Sequence, residues 1–246
     1  MAPRLRKIAD GVHLGALAPA GLLHTVLLEG PDGDVVVDAG FPWSGRRLAG
    51  LLRGRHVAEH AVTHAHGDHV GASAWLCRQT GAALAMGDAD AQRFEDGRID
   101  THDGAIERLV LGSLARERRP VDRRLGEGDR VAGFAVLAVP GHSPGTLALW
   151  READRVLVVG DGPVNVSTDP SAPRWLPLPR GLHHDPPGAA TSRRRLAGLR
   201  PQVDPYEQAE REFARVEALG LVEAGERGRF VALMVEVLRD YMAREL

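Results

Sequence analysis

The sequence has 246 residues and is 43% hydrophobic, enough for one large domain with a sizeable core, with or without a small appendage. Its 31 Lys and Arg residues nearly balance its 33 Asp and Glu residues, so no broad nucleic-acid-binding surface is expected. The sequence has no apolar run of about 18 residues, no signal-peptide pattern and a single Cys77, so we expect a cytoplasmic protein that does not enter a membrane.

Apolar runs in the first half of the chain predict alternating strands and helices. The predicted strands cover 8–15 (with a turn at Asp10-Gly11), 24–29, 34–38, 58–62 and 82–86. Two helices are predicted between them, at 45–53 and 69–80. A pair of strands followed by alternating strands and helices indicates a sheet with helices packed against it.

The strand predicted at 58–62 leads directly into a segment rich in metal-binding residue types. Three imidazoles and a carboxylate, His64, His66, Asp68 and His69, occupy six consecutive positions. His and Asp are costly to bury unless they are paired or bind a metal, and both are standard zinc ligands. Asp38 ends the strand predicted at 34–38 and has two interpretations, a turn carboxylate or a hydrogen-bond acceptor for a metal-bound imidazole.

The middle of the chain is polar and gives weaker signals. Short helices are predicted at 88–94 and 106–114, and His102 between them is expected to be exposed. The charged stretch 116–119 and the pair Arg123-Arg124 favour a solvated face, with a site for an anionic substrate group as the alternative. Segments 88–130 and 163–190 are the regions expected to set substrate selectivity, which the sequence alone does not define.

The second half of the chain again places ligand-type residues after strands. Strands are predicted at 134–139, 147–150 and 156–159. The first runs into Pro140-Gly141-His142-Ser143-Pro144-Gly145-Thr146, and the last closes at Gly160-Asp161-Gly162. Loops at strand ends are where a rigid scaffold presents reactive groups.

These three motifs together resemble the metallo-β-lactamase fold superfamily, in particular its glyoxalase II-like group. The resemblance extends from about residue 8 to about residue 200. It implies an α/β (α+β) fold, a four-layer αββα sandwich with metals in a cleft at one edge of two sheets. It also implies a first metal held by His64, His66 and His142, and a second held by Asp68 and His69, with Asp161 bridging the two.

The implied chemistry is hydrolysis. Imidazole and carboxylate ligands without thiolates suit one or two zinc ions, with iron or manganese as alternatives. A metal-bound hydroxide would attack an ester, thioester or lactone of a small molecule, and the resemblance gives Asp68 the catalytic role of orienting it and relaying a proton. An iron-dependent persulfide dioxygenase-like enzyme and a degenerate metal-binding relative with little turnover are the alternatives.

The C-terminal part of the chain departs from the family pattern. Dinuclear members carry one more ligand His near the C-terminus, whereas this sequence has no histidine after His184. His183 and His184, in the Pro-rich loop 176–187, are candidates to replace it, although ordinary loop positions near the site are the simpler interpretation. We therefore expect a metallo-β-lactamase-like domain at 1–203, ending after a helix at 190–199.

The last segment, 204–246, is predicted to form a helical hairpin. Asp204 is a suitable N-cap, Pro205 suits the first helical position, and Gly220 is a natural C-terminal stop. The hairpin is expected to dock on the domain or to mediate a homodimer.

Overall fold

The structure is a computed structural model that describes residues 3–18, 23–97, 119–161, 164–165, 175–176, 182–199, 213–222 and 224–245. Backbone contacts divide the chain into two compact units. The first comprises Met1–Pro163 with Pro177–Pro201, and the second comprises Val164–Leu176 with Gln202–Leu246.

A seven-stranded sheet forms one half of the first unit, and its strands follow chain order. They are β1 (Leu5–Ala9), β2 (Val12–Ala16), β3 (His24–Leu28), β4 (Asp34–Val37), β5 (Val57–Val62), β6 (Ala83–Gly87) and β7 (Arg123–Leu125). Strands β1 to β4 pair antiparallel, and β4 to β7 pair parallel. The parallel part needs crossovers, which include α1 (Gly45–Leu51), α2 (Gly67–Val70), α3 (Ser73–Thr80) and α4 (Asp88–Asp96).

A four-stranded antiparallel sheet packs on the first one. Its strands are β8 (Arg130–Val131), β9 (Phe134–Ala138), β10 (Leu147–Arg151) and β11 (Val156–Val159), in the order β11-β10-β9-β8. The two sheets share a buried core, because alternate residues of each strand face the other sheet. This core includes Leu28, Val37, Ala61 and Ala85 from the first sheet and Phe134, Val136 and Leu149 from the second.

Helices cover the outer faces of both sheets. Leu48 of α1 and Leu76 of α3 pack with Val36 of the first sheet, and Phe94 of α4 packs in a neighbouring cluster. On the other side, helix α5 (Pro186–Gly198) packs against the second sheet, with Leu196 in a cluster with Leu137, Ala148 and Trp150. The order helix, sheet, sheet, helix confirms the predicted four-layer αββα sandwich.

Three elements differ from the predictions. The first predicted strand is two strands, β1 and β2, because the chain reverses at Asp10-Gly11, where Gly11 has a φ of 62°. The helix predicted at 69–80 is interrupted between α2 and α3, where Ala72 leaves the helical region with a φ of −101° and a ψ of 9°. Strand β7 is not among the predicted elements and contains the arginine pair, whose side chains are 41% and 38% exposed, in agreement with the expected solvated face.

The arginines of β7 are accommodated at the sheet edge by ion pairs. The Arg123 guanidinium donates to Glu59 at 2.8 Å, and that of Arg124 pairs with Asp88 and Glu95 on α4. Charged residues are a common protection of edge strands, so a charge-rich segment is compatible with a strand at this position. The helix predicted at 106–114, His102 and residues 116–118 lie outside the described residues.

The second unit contains a short antiparallel pair, β12 (Val164–Asn165) with β13 (Trp175–Leu176), and two helices. The helices are α6 at 213–218 and α7 (Arg227–Glu245), both within the predicted hairpin. Gly220 follows α6 with a φ of 61°, as expected for a helix stop, whereas Asp204 and Pro205 lie outside the described residues. The boundary at 203 and a homodimer contact stay predictions. Among the described residues, no helix is both long and apolar enough to cross a bilayer.

Candidate metal centre

Three segments that follow strands converge in the first unit. Residues 63–69 follow β5, residues 139–146 join β9 to β10, and Asp161 follows β11. The Leu147 N–H donates to the Thr63 carbonyl at 2.8 Å, which ties the first two segments together. Gly160 packs against the Thr63 side chain with no room for a Cβ, so the third segment also lies close to the first.

A first cluster consists of three buried imidazoles. His64, His66 and His142 each offer a ring nitrogen within 4.8 Å of those of the other two. Their ring centroids are 4.5 to 4.6 Å apart, and the rings stand nearly perpendicular to one another. Three nitrogens from two loops thus face one small volume, as in three-ligand zinc sites.

A second cluster adjoins the first and shares His64 with it. Ligand atoms of His64, His69 and Asp161 also lie within 4.8 Å of one another. Asp161 faces both clusters, because Oδ1 lies 3.2 Å from His69 Nε2 and Oδ2 lies 3.8 Å from His142 Nε2. Asp68 stands farther out, with Oδ2 at 3.8 Å from His69 Nε2 and its side chain 26% exposed. The structure therefore brings five of the six predicted residues into the two clusters and leaves Asp68 beside His69, outside both.

Several imidazole nitrogens of these clusters lack hydrogen-bond partners within the described part of the protein. His64 Nε2 and both ring nitrogens of His142 are buried and form no hydrogen bond. His69 Nε2 is buried as well, and its partner is the Asp161 carboxylate, with Oδ1 at 3.2 Å. A buried polar atom without a partner costs roughly 1–3 kcal/mol. Several such atoms at one place fit a bound cation, which would satisfy all of them at once.

The protonation states also fit metal binding. Burial lowers the pKa of His64 well below its ordinary value, lowers that of His66, and lowers that of His142 from 6.5 to about 3. These imidazoles are therefore neutral at pH 7, the form in which histidine binds a metal.

His69 and Asp161 form a charged pair beside these neutral rings. Burial alone would lower the pKa of His69, but the carboxylates of Asp38 and Asp161 outweigh it and raise that pKa well above its ordinary value. Burial opposes ionisation of Asp161, but the contact with His69 and the nearby imidazoles lower its pKa to about 2. The raised pKa of His69 favours its protonated form, which offsets the negative charge of the neighbouring Asp161.

Asp38 holds His69 in place, which supports the second of its two interpretations. Its Oδ2 lies 2.8 Å from His69 Nδ1, and its carboxylate accepts hydrogen bonds from the Thr63 N–H and Oγ1, each at 2.8 Å. The carboxylate fixes the proton of His69 on Nδ1 and leaves Nε2 for the cluster. Asp38 itself has a φ of 59°, a region in which Asp is better tolerated than most residues.

Sequence patterns give no indication of two further polar residues at this site. Thr63 connects Asp38 to the first ligand loop, and its Oγ1 lies 3.2 Å from His64 Nδ1. Asp90, in the first turn of α4, is only 1% exposed and accepts hydrogen bonds from both ligand loops. An acidic residue in a first helical turn is common at solvent-exposed helix starts, so only the fold identifies Asp90 as part of this site.

The two candidate replacement ligands lie beside the site. The His184 N–H donates to the His142 carbonyl at 3.1 Å, so the segment that contains His183 and His184 lies alongside the second ligand loop. His183 is buried, and its ring centroid is 5.6 Å from that of His142. Among the described residues, neither His183 nor His184 belongs to a three-ligand cluster.

Comparisons with known proteins identify the family. Residues 19–203 match the family model for the Metallo-beta-lactamase superfamily. The probable metallo-hydrolase YflN of Bacillus subtilis (strain 168) is 26% identical over 222 residues, which cover 79% of this chain and 82% of that protein. A hydroxyacylglutathione hydrolase of Anaeromyxobacter dehalogenans is 28% identical over a 267-residue alignment that covers 88% and 94%.

Other matches are partial or structural. A hydroxyacylglutathione hydrolase of Cereibacter sphaeroides is 33% identical over 131 residues, and there the match spans 51% of this chain and only 41% of the relative. Among solved structures, a beta-lactamase from Chitinophaga pinensis superimposes with a TM-score of 0.56 at 23% identity, covering 79% of this chain and 73% of that one. This last likeness concerns the fold alone.

Proposed function

Because this chain belongs to the metallo-beta-lactamase superfamily, we propose that it is a zinc-dependent hydrolase of a small-molecule ester, thioester or lactone. The observation that carries the proposal is the set of buried imidazole nitrogens without hydrogen-bond partners next to Asp161. Two of the relatives described above are named hydroxyacylglutathione hydrolases, which favours a thioester within this range.

The donor set suits zinc and divides into two positions. His64, His66 and His142 would hold the first ion, while His69 and Asp68 would hold a second, with Asp161 between them. Three neutral nitrogens with an open fourth position are the usual arrangement of a catalytic zinc site. Bound zinc supplies Lewis acidity and lowers the pKa of a coordinated water to about 7.

Within this proposal, Asp68 accepts the proton. Asp68 and Asp38 both lie beside His69, but the Asp68 side chain is 26% exposed whereas that of Asp38 is 8% exposed. The Asp68 Oδ2 lies 3.8 Å from His69 Nε2. Its carboxylate can accept a hydrogen bond from the attacking water, orient that water and take up its proton. Asp38 is buried and engaged by Thr63 and His69, so it orients a ligand and does not take part in proton transfer.

The test is metal content followed by a substrate panel. Purified protein should contain about one to two zinc ions per chain, and removal by a chelator should abolish hydrolysis of S-acyl thioesters, esters or lactones until zinc is restored. His66→Ala should lose activity, while His56→Ala, which removes an imidazole outside the clusters, should retain it.

Two results would contradict this proposal. Zinc-loaded protein that is inert on thioesters, esters, lactones, phosphodiesters and β-lactams would indicate a relative with little turnover. Iron in the purified protein, with oxygen uptake in the presence of glutathione persulfide, would indicate the dioxygenase alternative.

A further inference from the structure

Asp90 is a buried carboxylate that belongs to neither ligand cluster. It lies in the first turn of α4, directly after β6, with 1% of its surface exposed. Its Oδ2 accepts hydrogen bonds from the Ala65 N–H at 2.9 Å and from Ser143 Oγ at 2.6 Å, and its Oδ1 accepts one from the Gly145 N–H at 2.7 Å.

These three donors come from both loops that supply the three-imidazole cluster. Ala65 lies between His64 and His66, and Ser143 directly follows His142. Gly145 approaches Asp90 so closely that an added Cβ would lie 2.5 Å from the Asp90 nitrogen, so the glycine is required for this contact. A single carboxylate therefore links the backbone of one ligand loop to the backbone of the other.

Only a carboxylate can make this set of contacts. Two of the donors are backbone N–H groups of different loops, and they point at the two different oxygens. An asparagine offers one acceptor oxygen and an NH₂ group, so one backbone N–H would face another donor. A buried N–H facing a donor is unsatisfied and pushes the loop away.

We propose that Asp90 is a positioning residue that sets the separation of His142 from His64 and His66, and through it the metal affinity of the three-imidazole cluster. The inference rests on the metal centre of the proposed function. Outer residues that hold metal ligands in place typically contribute about 10- to 100-fold in metal affinity. Asp90 contacts the Ala65 N–H between His64 and His66 and the hydroxyl of Ser143 next to His142. Its effect should therefore fall on the metal position that these three imidazoles form.

The experiment compares Asp90→Asn with a matched carboxylate control, Asp122→Asn. Asp122 also accepts a backbone hydrogen bond, from the Leu84 N–H at 2.7 Å, and pairs with Arg119, but it contacts neither ligand loop. Zinc dissociation constants are measured by competition with a chromophoric chelator, and the thermal stability of metal-free protein is measured in parallel. Asp90→Asn should weaken the tightest zinc step by about 10- to 100-fold and alter the visible spectrum of cobalt-substituted protein. Asp122→Asn should lower stability without changing either.

A second variant covers the case in which Asp90→Asn does not fold. Ser143→Ala removes one of the three donors, and it should weaken the same zinc step by about three- to tenfold. Unchanged zinc affinity in whichever of these variants folds, with only a loss of stability, would show a purely structural role and overturn the proposal.

Wild-type protein that binds zinc but hydrolyses nothing would contradict the proposed function and leave this affinity test decisive. Wild-type protein that binds no zinc would overturn both.

Discussion

Replacing Asp38 by Asn should weaken the second metal position more than it weakens the fold. Asp38 accepts three hydrogen bonds, from the Thr63 N–H, Thr63 Oγ1 and His69 Nδ1, all at 2.8 Å. Asn preserves the shape and tolerates the φ of 59° at this position, so backbone strain is avoided. What changes is the donor and acceptor pattern.

Either orientation of the introduced asparagine amide disturbs the site. If its oxygen stays on the Thr63 N–H, its NH₂ group faces His69 Nδ1, which must then accept, and the ring proton moves to Nε2. Nε2 is the nitrogen 3.2 Å from Asp161, so it would no longer be available to a metal. If the amide is flipped, the NH₂ group instead faces the Thr63 N–H and leaves it unsatisfied.

The expected loss in affinity for the second zinc is about 10- to 100-fold, which corresponds to about 1.4–2.8 kcal/mol. A zinc titration against a competing chelator separates the two binding steps, and nitrogen NMR of the imidazoles reads the tautomer of His69. Asp34→Asn is the control, because Asp34 lies on the adjoining strand β4 but pairs with Arg55. An unchanged second dissociation constant together with a retained Nδ1 proton would refute the reasoning.

Two shorter predictions concern the first cluster. His66→Ala should weaken the tightest zinc step by at least about 100-fold, whereas His56→Ala should leave it unchanged in the same titration. In metal-free protein, burial depresses the pKa of His142 from 6.5 to about 3, so the unfolded chain binds the extra proton first as pH falls. The contribution of His142 to stability should therefore be fully present above pH 6.5 and be lost progressively towards pH 3. His142 contributes at most about 5 kcal/mol to this loss. Denaturant unfolding at a series of pH values measures it. A free energy of unfolding that stays constant between pH 6.5 and pH 3 would contradict the burial of a neutral imidazole.

Much of the fold follows from the sequence because the signals are local. The apolar runs that predict β3, β4, β5 and β6 are short and bounded by turns, and the first ligand loop follows one of them directly. Four ligand-type residues within six positions need no tertiary information to be recognised together. The convergence of His142 and Asp161 on that loop, by contrast, depends on how two sheets pack and is supplied by the family resemblance.

What the sequence does not predict depends on close approach between distant segments. Gly71, between α2 and α3, packs so closely on Pro42 that an added Cβ would lie 2.5 Å from the proline nitrogen, although the two residues are far apart in the sequence. Asp90 looks like an ordinary acidic residue at a helix start, and its burial depends on Gly145 coming against it from the other sheet's loop. Neither contact has a periodic pattern, so both become visible only in the folded protein.

The two clusters should bind metal unequally, because they share a ligand. The first has three buried neutral imidazoles. The second takes His64 from the first and adds His69 and Asp161, of which Asp161 also faces His142 of the first cluster. The proton on His69, whose pKa is raised by Asp38 and Asp161 despite burial, must also leave before Nε2 binds a cation. We therefore expect one tight zinc step and one weaker step, and the weaker step should release a proton and lose affinity as pH falls. Calorimetric titration in buffers of different ionisation enthalpy measures that proton. Two equally tight steps without proton release would show that another residue completes the second position.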